Sequence, residues 1–179
     1  MTEAGSVYGL AMYELAASEG LAEEILQQLD MLLVGFEAEP EFLRLLNTPA
    51  LSKEERCKIL DDSFRGKVHP YVLNFLKILT EKGYIRQYPH CCKAYRQQYY
   101  HDNGIISVQA VTAIPLTADQ LQRLTRKLKS VTGKNILLQN RVDPSCMGGI
   151  RLDYDGKRLD DTISHRLEAV GSLLKNTVL

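Results

Sequence analysis

The residues of this chain whose types could do chemistry are four histidines, four cysteines and one glycine pair. Metal binding or proton transfer needs such groups to converge, and their spacing works against it. His69, His90, His101 and His165 are scattered, with no i, i+4 histidine pair and no H-E-x-x-H. His90, Cys91 and Cys92 are consecutive, and three consecutive side chains on a helix point in different directions, so they make a poor ligand set. Adjacent Cys91 and Cys92 lack C-x-x-C spacing. With Cys57 and Cys146 they are too few and too irregular for a disulfide framework, and all four read as reduced structural thiols. Gly148-Gly149 is not preceded by a strand-to-helix phosphate loop, and no G-x-x-x-x-G-K-[ST] occurs. A tight bend or a close backbone approach at a strand entrance is what that pair suits. No serine sits in a nucleophile elbow. Asp160-Asp161 fits a strand end and helix cap, where acids favour the positive end of the helix. The sequence therefore predicts no catalytic residue, no cofactor and no metal site.

Charge and composition narrow the remaining classes. A chain of 179 residues allows one ordinary domain or two small ones. Net charge is zero, which argues against a dedicated nucleic-acid or polybasic membrane binder. The average hides an asymmetry: residues 1–104 carry 11 basic and 15 acidic side chains, residues 105–179 carry 11 and 7. No Lys or Arg precedes Arg44, whereas nine acids do. This is either a solvated acidic face or a surface for a positively charged partner segment. No apolar run approaches the ~18 residues that span a bilayer, so direct membrane insertion is not expected. Met1-Thr2-Glu3-Ala4 has neither a basic signal-peptide start nor the look of a transit peptide, and the expectation is action in the cytosol or on a cytosolic membrane face.

Two kinds of element must position whatever surface does the work. The first hundred residues repeat with a helical period. Ser6 is placed to cap a helix carrying Tyr8, Ala11, Met12 and Leu15 as its inward stripe. Ile25, Leu29, Leu32 and Phe36 make a second stripe, widened by Leu26 and Leu33. Pro40 opens a short third helix with Phe42, Leu43, Leu45 and Leu46. Ser52 and Glu55 form a capping box for a fourth, reaching about Phe64. Pro70 opens a fifth with Val72, Phe75, Leu76 and Leu79, and a sixth carries Tyr88, Cys92, Tyr95 and Tyr99. Short connections predict a compact bundle of six helices.

Near Asn103-Gly104 the period changes from 3.6 to 2. Residues 105–114 predict a strand, and Thr117 with Gln120 makes a second capping box. The helix that follows, over 118–132, is expected to turn Leu121, Leu124, Leu128 and Val131 inward and Arg123, Arg126, Lys127 and Lys129 mostly outward. Ile136-Leu137-Leu138 starts another strand. Ile150, Leu152 and Tyr154 alternate with polar residues, and Asp155-Gly156 turns the chain into Lys157–Asp160. A last helix from about Thr162 carries Ile163, Leu167, Val170 and Leu174. The predicted fold is α+β in two domains: a six-helix bundle over 1–104, then a small β-α-β-β-β-α domain over 105–179.

A small module of this kind with net positive charge also suits a small RNA-binding adaptor. That alternative lacks an aromatic pair for base stacking, with Tyr154 alone on the strands, and lacks a GXXG loop.

Several segments taken in order resemble one family. Tyr8-Gly-Leu-Ala11-Met-Tyr-Glu14-Leu-Ala16 is similar to the Y-A-x-A-L-x-E-x-A opening of F-type ATP synthase delta subunits. Phe42, Asn47-Thr-Pro49-Ala-Leu51-Ser52 and Glu55 resemble the stretch before their fourth helix, and Val72-Leu-Asn74-Phe75-Leu76-Lys-Ile-Leu79 resembles the fifth. Val108-Gln-Ala110-Val-Thr-Ala113-Ile-Pro115-Leu116-Thr117 is similar to the V-x-S-A-x-P-L-S passage. The end is the most specific: Val142-Asp143-Pro144-Ser-Cys-Met147-Gly148-Gly149-Ile150, then Leu159-Asp160-Asp-Thr-Ile163-Ser-His-Arg166-Leu167, beside V-D-P-S-L-I-G-G-V and I-D-G-S-V-R-x-R-L. The chain departs at Tyr84-Ile85, where an Asn-Arg type of sequence is usual, and at Asp161-Thr162, where Gly-Ser is usual. The same family includes the mitochondrial oligomycin-sensitivity-conferring protein, and the start of this chain fits a bacterial member better.

The resemblance implies a non-catalytic stator subunit on the cytoplasmic face of the inner membrane, peripheral, joining the alpha/beta catalytic head to the peripheral stalk. It implies that the helical domain binds amino-terminal segments of the alpha subunit and that the second domain meets the b-type stalk subunits, with no nucleic acid among the partners. A partner helix laid in an apolar groove resists torque through i, i+3, i+4, i+7 anchors. Candidate walls on the first and fifth helices are Tyr8, Ala11, Met12 and Leu15 with Leu76, Ile78 and Leu79, each of which suits ordinary bundle core equally well. Leu167, Leu173, Leu174 and Val178 on the last helix are the candidates for the stalk contact.

Overall fold

The computed structural model describes residues 3–154, 156–163 and 165. The chain divides into two compact units, Met1–Tyr99 and Tyr100–Leu179, and the division falls in the last turn of a helix. The fold is α+β.

The first unit holds α1 (Glu3–Ser18), α2 (Ala22–Ala38), α3 (Pro40–Leu46), α4 (Lys53–Phe64), α5 (Pro70–Glu81) and most of α6 (Tyr88–Asp102). The start signals act as their chemistry requires. Ser52 Oγ accepts from the Glu55 N–H at 3.1 Å while Glu55 Oε2 accepts from the Ser52 N–H at 2.8 Å, satisfying two otherwise orphaned donors. Pro40 and Pro70 occupy first turns, where no N–H is missed. His69 caps α5, its Nδ1 accepting from the Tyr71 N–H at 3.2 Å. Ser6, by contrast, lies inside α1, which has already begun at Glu3.

The core of this unit joins Ile25, Leu26, Leu29, Leu32 and Phe36 of α2 to Val72, Phe75, Leu76 and Leu79 of α5 and to Tyr88, Cys92 and Tyr95 of α6. Phe36 meets Tyr88 edge-on at 5.1 Å and stacks on Phe42 at 5.9 Å, geometries that ring quadrupoles favour. The Tyr88 phenol donates to the Leu29 carbonyl at 3.0 Å and the Tyr95 phenol to the Ala22 carbonyl at 2.8 Å.

α1 corrects the predicted stripe. It buries Gly5, Gly9, Met12, Tyr13 and Ala16, leaves Ala11 and Leu15 exposed, and half-exposes Tyr8. A pattern of large apolar residues misses the cause, which is close packing through small ones. A Cβ on Gly9 would stand 2.4 Å from the Cys91 carbonyl oxygen of α6, so α1 and α6 touch backbone to backbone there. Tyr13 packs beside that contact, edge-on to Tyr95 at 5.4 Å.

The second unit is a four-stranded sheet of β1 (Ile105–Thr112), β2 (Asn135–Val142), β3 (Ile150–Tyr154) and β4 (Lys157–Asp160) in the order β2-β1-β3-β4. β1 and β2 run parallel, which requires a crossover, and α7 (Ala118–Thr132) supplies it. The Thr117–Gln120 capping box starts α7, and Gly133 ends it at φ 67°. Leu121, Leu124 and Leu128 are half-buried as expected, but Val131 is 77% exposed, in the final turn just before Gly133. The paired register puts Val108, Leu138, Leu152 and Tyr154 on one face and Gln109, Arg151 and Asp153 on the other. Asp153 is bonded to both Arg158 at 2.8 Å and Arg151 at 3.3 Å, and the Arg158 bond holds its carboxyl below the usual carboxylate range.

Gly148-Gly149 plays the backbone role expected of it. Gly149 has φ 80°, and a Cβ there would lie 2.3 Å from the Asp161 carbonyl oxygen. Asp160 Oδ1 accepts from the Thr162 hydroxyl at 2.7 Å and the Thr162 N–H at 3.1 Å, and Thr162 Oγ1 accepts from the His165 N–H at 3.2 Å. The expected last helix beyond that cap lies outside the described residues.

Candidate functional site

The chemistry-bearing residues stay apart. Among the described residues no group of three or more His, Cys, Asp or Glu is placed to hold a metal, and no helix is long and apolar enough to cross a membrane. Cys91 and Cys92 are buried in the helical core, where desolvation pushes their thiols up to about 11 and about 12, away from the thiolate that nucleophilic or ligand chemistry needs. Cys57 is partly buried, its pKa also raised, first by burial and then by the Glu81 carboxylate 3.6 Å away. What the unit offers instead is surface shape.

The outer face of α1 is the first such surface. Because Gly5, Gly9, Met12, Tyr13 and Ala16 turn inward, the helical period carries Val7, Tyr8, Ala11 and Leu15 outward together. Val7 is 60% exposed and Leu15 42%. Tyr8 leans on Tyr84, with ring centroids 5.8 Å apart, and Tyr84 follows the end of α5 by three residues. α5 turns Val72, Leu76 and Leu79 fully inward. Lys77 lies on its flank toward α4, bonded to Asp61 at 2.7 Å, and this bond keeps the Asp61 carboxyl below its ordinary range. Half-buried Ile78 lies one residue further round, on the opposite flank.

The seven candidate wall residues therefore separate into two layers. Tyr8, Ala11, Leu15 and Ile78 reach the surface. Met12, Leu76 and Leu79 are at most 5% exposed and lie beneath, so they can support a partner's seat without touching it. Val7 and Tyr84 join the exposed set without having been expected. Val7 was legible as the i−4 neighbour of Ala11, whereas Tyr84, past the end of its helix, carried no periodic signal. Leu167, Leu173, Leu174 and Val178 lie outside the described residues.

Residues 5–174 match the family described as the ATP synthase delta (OSCP) subunit. The chain belongs to that family. ATP synthase subunit delta of Alkaliphilus oremlandii is 31% identical over 172 residues, covering 96% of both chains. The Clostridium kluyveri subunit is 29% identical over 167 residues, covering 93% of this chain and 92% of the relative. The Gloeobacter violaceus subunit is 30% identical over 162 residues, covering 89% and 88%. In fold, the chain is similar to one from the mitochondrial ATP synthase hexamer of Toxoplasma gondii, with a TM-score of 0.75, 21% identity and coverage of 97% and 98%. Delta/OSCP subunits are non-catalytic components of the peripheral stalk of F-type ATP synthase, and this assigns the chain to that complex. A structural subunit is consistent with the apolar helix face left at the surface.

Proposed function

We propose that the chain joins the catalytic head to the peripheral stalk through two docking surfaces, one on each unit, so that rotary torque on the head is resisted. In this reading the six helices act as one bundle, residues 1–104, that receives amino-terminal segments of the alpha subunit. Residues 105–179 meet the b-type stalk subunits through Leu167, Leu173, Leu174 and Val178. The joint then sits on the cytoplasmic face of the membrane, held there by the complex.

The observation that carries the first half is the exposed stripe Val7, Tyr8, Ala11 and Leu15 on α1, joined through Tyr84 to the end of α5. An amphipathic partner helix fits between α1 and the Ile78 flank of α5, with small Ala11 allowing its backbone near. Each large anchor buried there is worth about 1.5–3 kcal/mol, so three or four supply about 5–12 kcal/mol against the cost of association. The acidic run before Arg44 steers a partner whose flanks are basic.

The test is reconstitution. Synthase complexes stripped of this subunit should regain ATP-driven proton pumping with the wild-type chain and fail with Ala11→Asp. Such a change at an exposed position leaves the fold intact. Full recovery with folded Ala11→Asp would sink the assignment of this face.

A further inference from the structure

A second apolar cleft in the helical unit has no part in the joint just described. It opens between α2, α3 and the end of α4, with a volume of about 930 Å³, and its lining includes Met31, Gly35, Phe42 and Leu45 together with the charged Glu39, Glu41 and Arg44. Met31 is 57% exposed, and Val34 beside it is 66% exposed. Of the four apolar residues that the sequence places on α3, Leu46 is buried, while Phe42 remains half-exposed at the cleft.

Gly35 supplies an independent observation. Glycine inside a helix gives up helical propensity, and this one stands in the fourth turn of α2, three residues before its end. Gly9 explains itself by its contact with α6, and the glycines at positive φ explain themselves by backbone shape. Gly35 has neither reason: its φ is not positive, and a Cβ built on it meets no atom within 4 Å. It lies on the cleft wall, where the absent side chain leaves room for another backbone.

We infer that this cleft is a docking groove for a basic amphipathic helix of another protein, which crosses α2 at Gly35 and sets apolar residues against Met31, Phe42 and Leu45. Charge selects the partner's sign. No Lys or Arg precedes Arg44, the acids Glu37, Glu39 and Glu41 cluster where α2 meets α3, and Arg44 is bonded to Glu41. A second copy of this chain would bring the same acidic rim against itself, which disfavours self-association. Small residues at a helix crossing permit close backbone approach, so the partner's own contact residue at Gly35 should also be small.

The experiment uses the full chain and a helix-forming peptide of about 16 residues with Leu at i, i+3, i+4 and i+7, Ala at the crossing point and Lys on its flanks. A twin peptide carries Glu in place of every Lys. The Lys peptide should bind saturably, protect the amide hydrogens of residues 31–48 from exchange, and lose affinity at high salt; the Glu twin should not bind. Gly35→Leu should weaken binding by about ten-fold or more while raising the melting temperature of the free chain, because the substitution improves helix propensity and its Cβ meets open space. Ala11→Asp, on the other face, should leave this binding unchanged and so separates its failure from that of the alpha-subunit joint. Equal binding by wild type and folded Gly35→Leu overturns the proposal, as does equal binding of the two peptides or protection elsewhere. Sedimentation of the wild type as a dimer that Gly35→Leu returns to monomer would assign the groove to a second copy and likewise overturn it.

Discussion

Two helical glycines of the first unit, Gly35 and Gly9, should respond to the same substitution with opposite signs. Alanine in place of a helical glycine gains about 1 kcal/mol when nothing else changes. At Gly35 nothing else does change, because the added methyl finds no atom within 4 Å. Gly35→Ala should therefore stabilise the helical unit by about 0.5–1 kcal/mol, a rise of roughly 3–6 °C for a unit of this size. At Gly9 the methyl would stand 2.4 Å from the Cys91 carbonyl oxygen and 2.9 Å from the Ala94 Cβ. Ordinary contact would require α1 to retreat by about 1 Å, which opens the packing of Met12, Tyr13 and Ala16 along the same face. Overpacking of this kind costs about 1–3 kcal/mol, with further loss as the interface opens, so after the propensity gain the net destabilisation is about 1–2 kcal/mol. Thermal unfolding of the full-length variants, followed by far-ultraviolet circular dichroism, reads both signs. A Gly9→Ala chain that melts above wild type would refute the backbone contact between α1 and α6.

Tyr88→Phe should cost about 0.5–1.5 kcal/mol in urea titrations, because the phenol bonded to the Leu29 carbonyl is replaced by nothing. Asp61, bonded first to Lys77 and then to Arg65, has its carboxyl lowered below the ordinary 3.8 in the folded chain. Its contribution to stability is thus complete above pH 3.8 and is lost as pH falls through the lower folded value, so Asp61→Asn should flatten that acid limb of the stability curve while leaving its slope at neutral pH unchanged. Gly149→Ala should loosen the second unit, since φ 80° and the Asp161 oxygen at 2.3 Å both exclude a side chain, and hydrogen exchange in β3 should rise. Thiol labelling of the native chain at neutral pH should reach half-buried Cys57 before Cys91, Cys92 and Cys146, which are all at most 4% exposed.

Much of the architecture could be read from local chemistry. Ser52 with Glu55 and Thr117 with Gln120 are reciprocal caps whose partners lie three residues apart, so a sequence contains all the information they need. The α2 and α5 stripes were equally legible because large apolar residues fill those faces. The change of period near Gly104 marked the passage to strands for the same local reason.

What could not be read depended on neighbours far along the chain. α1 turns glycines and an alanine inward because α6 comes close, and hydrophobic periodicity gives such residues little weight. The stripe of Tyr8, Ala11, Met12 and Leu15 was therefore taken as one face, although Met12 lies beneath and the other three lie at or near the surface. Leu76 and Leu79 were chosen as groove walls from the resemblance, but a helix as apolar as α5 gives no sign of which residues its neighbours cover. The cleft at Gly35 was not legible because a seven-residue helix with four apolar residues gives no sign of which its neighbours cover, and α3 leaves Leu45 43% exposed.

The most direct measurement of the central claim is a calorimetric titration of the full chain with a peptide from the amino terminus of its own alpha subunit. The account predicts tight one-to-one binding that weakens sharply in Ala11→Asp and survives in Gly35→Leu. Absence of binding to the folded wild-type chain, or binding indifferent to Ala11→Asp, would contradict it.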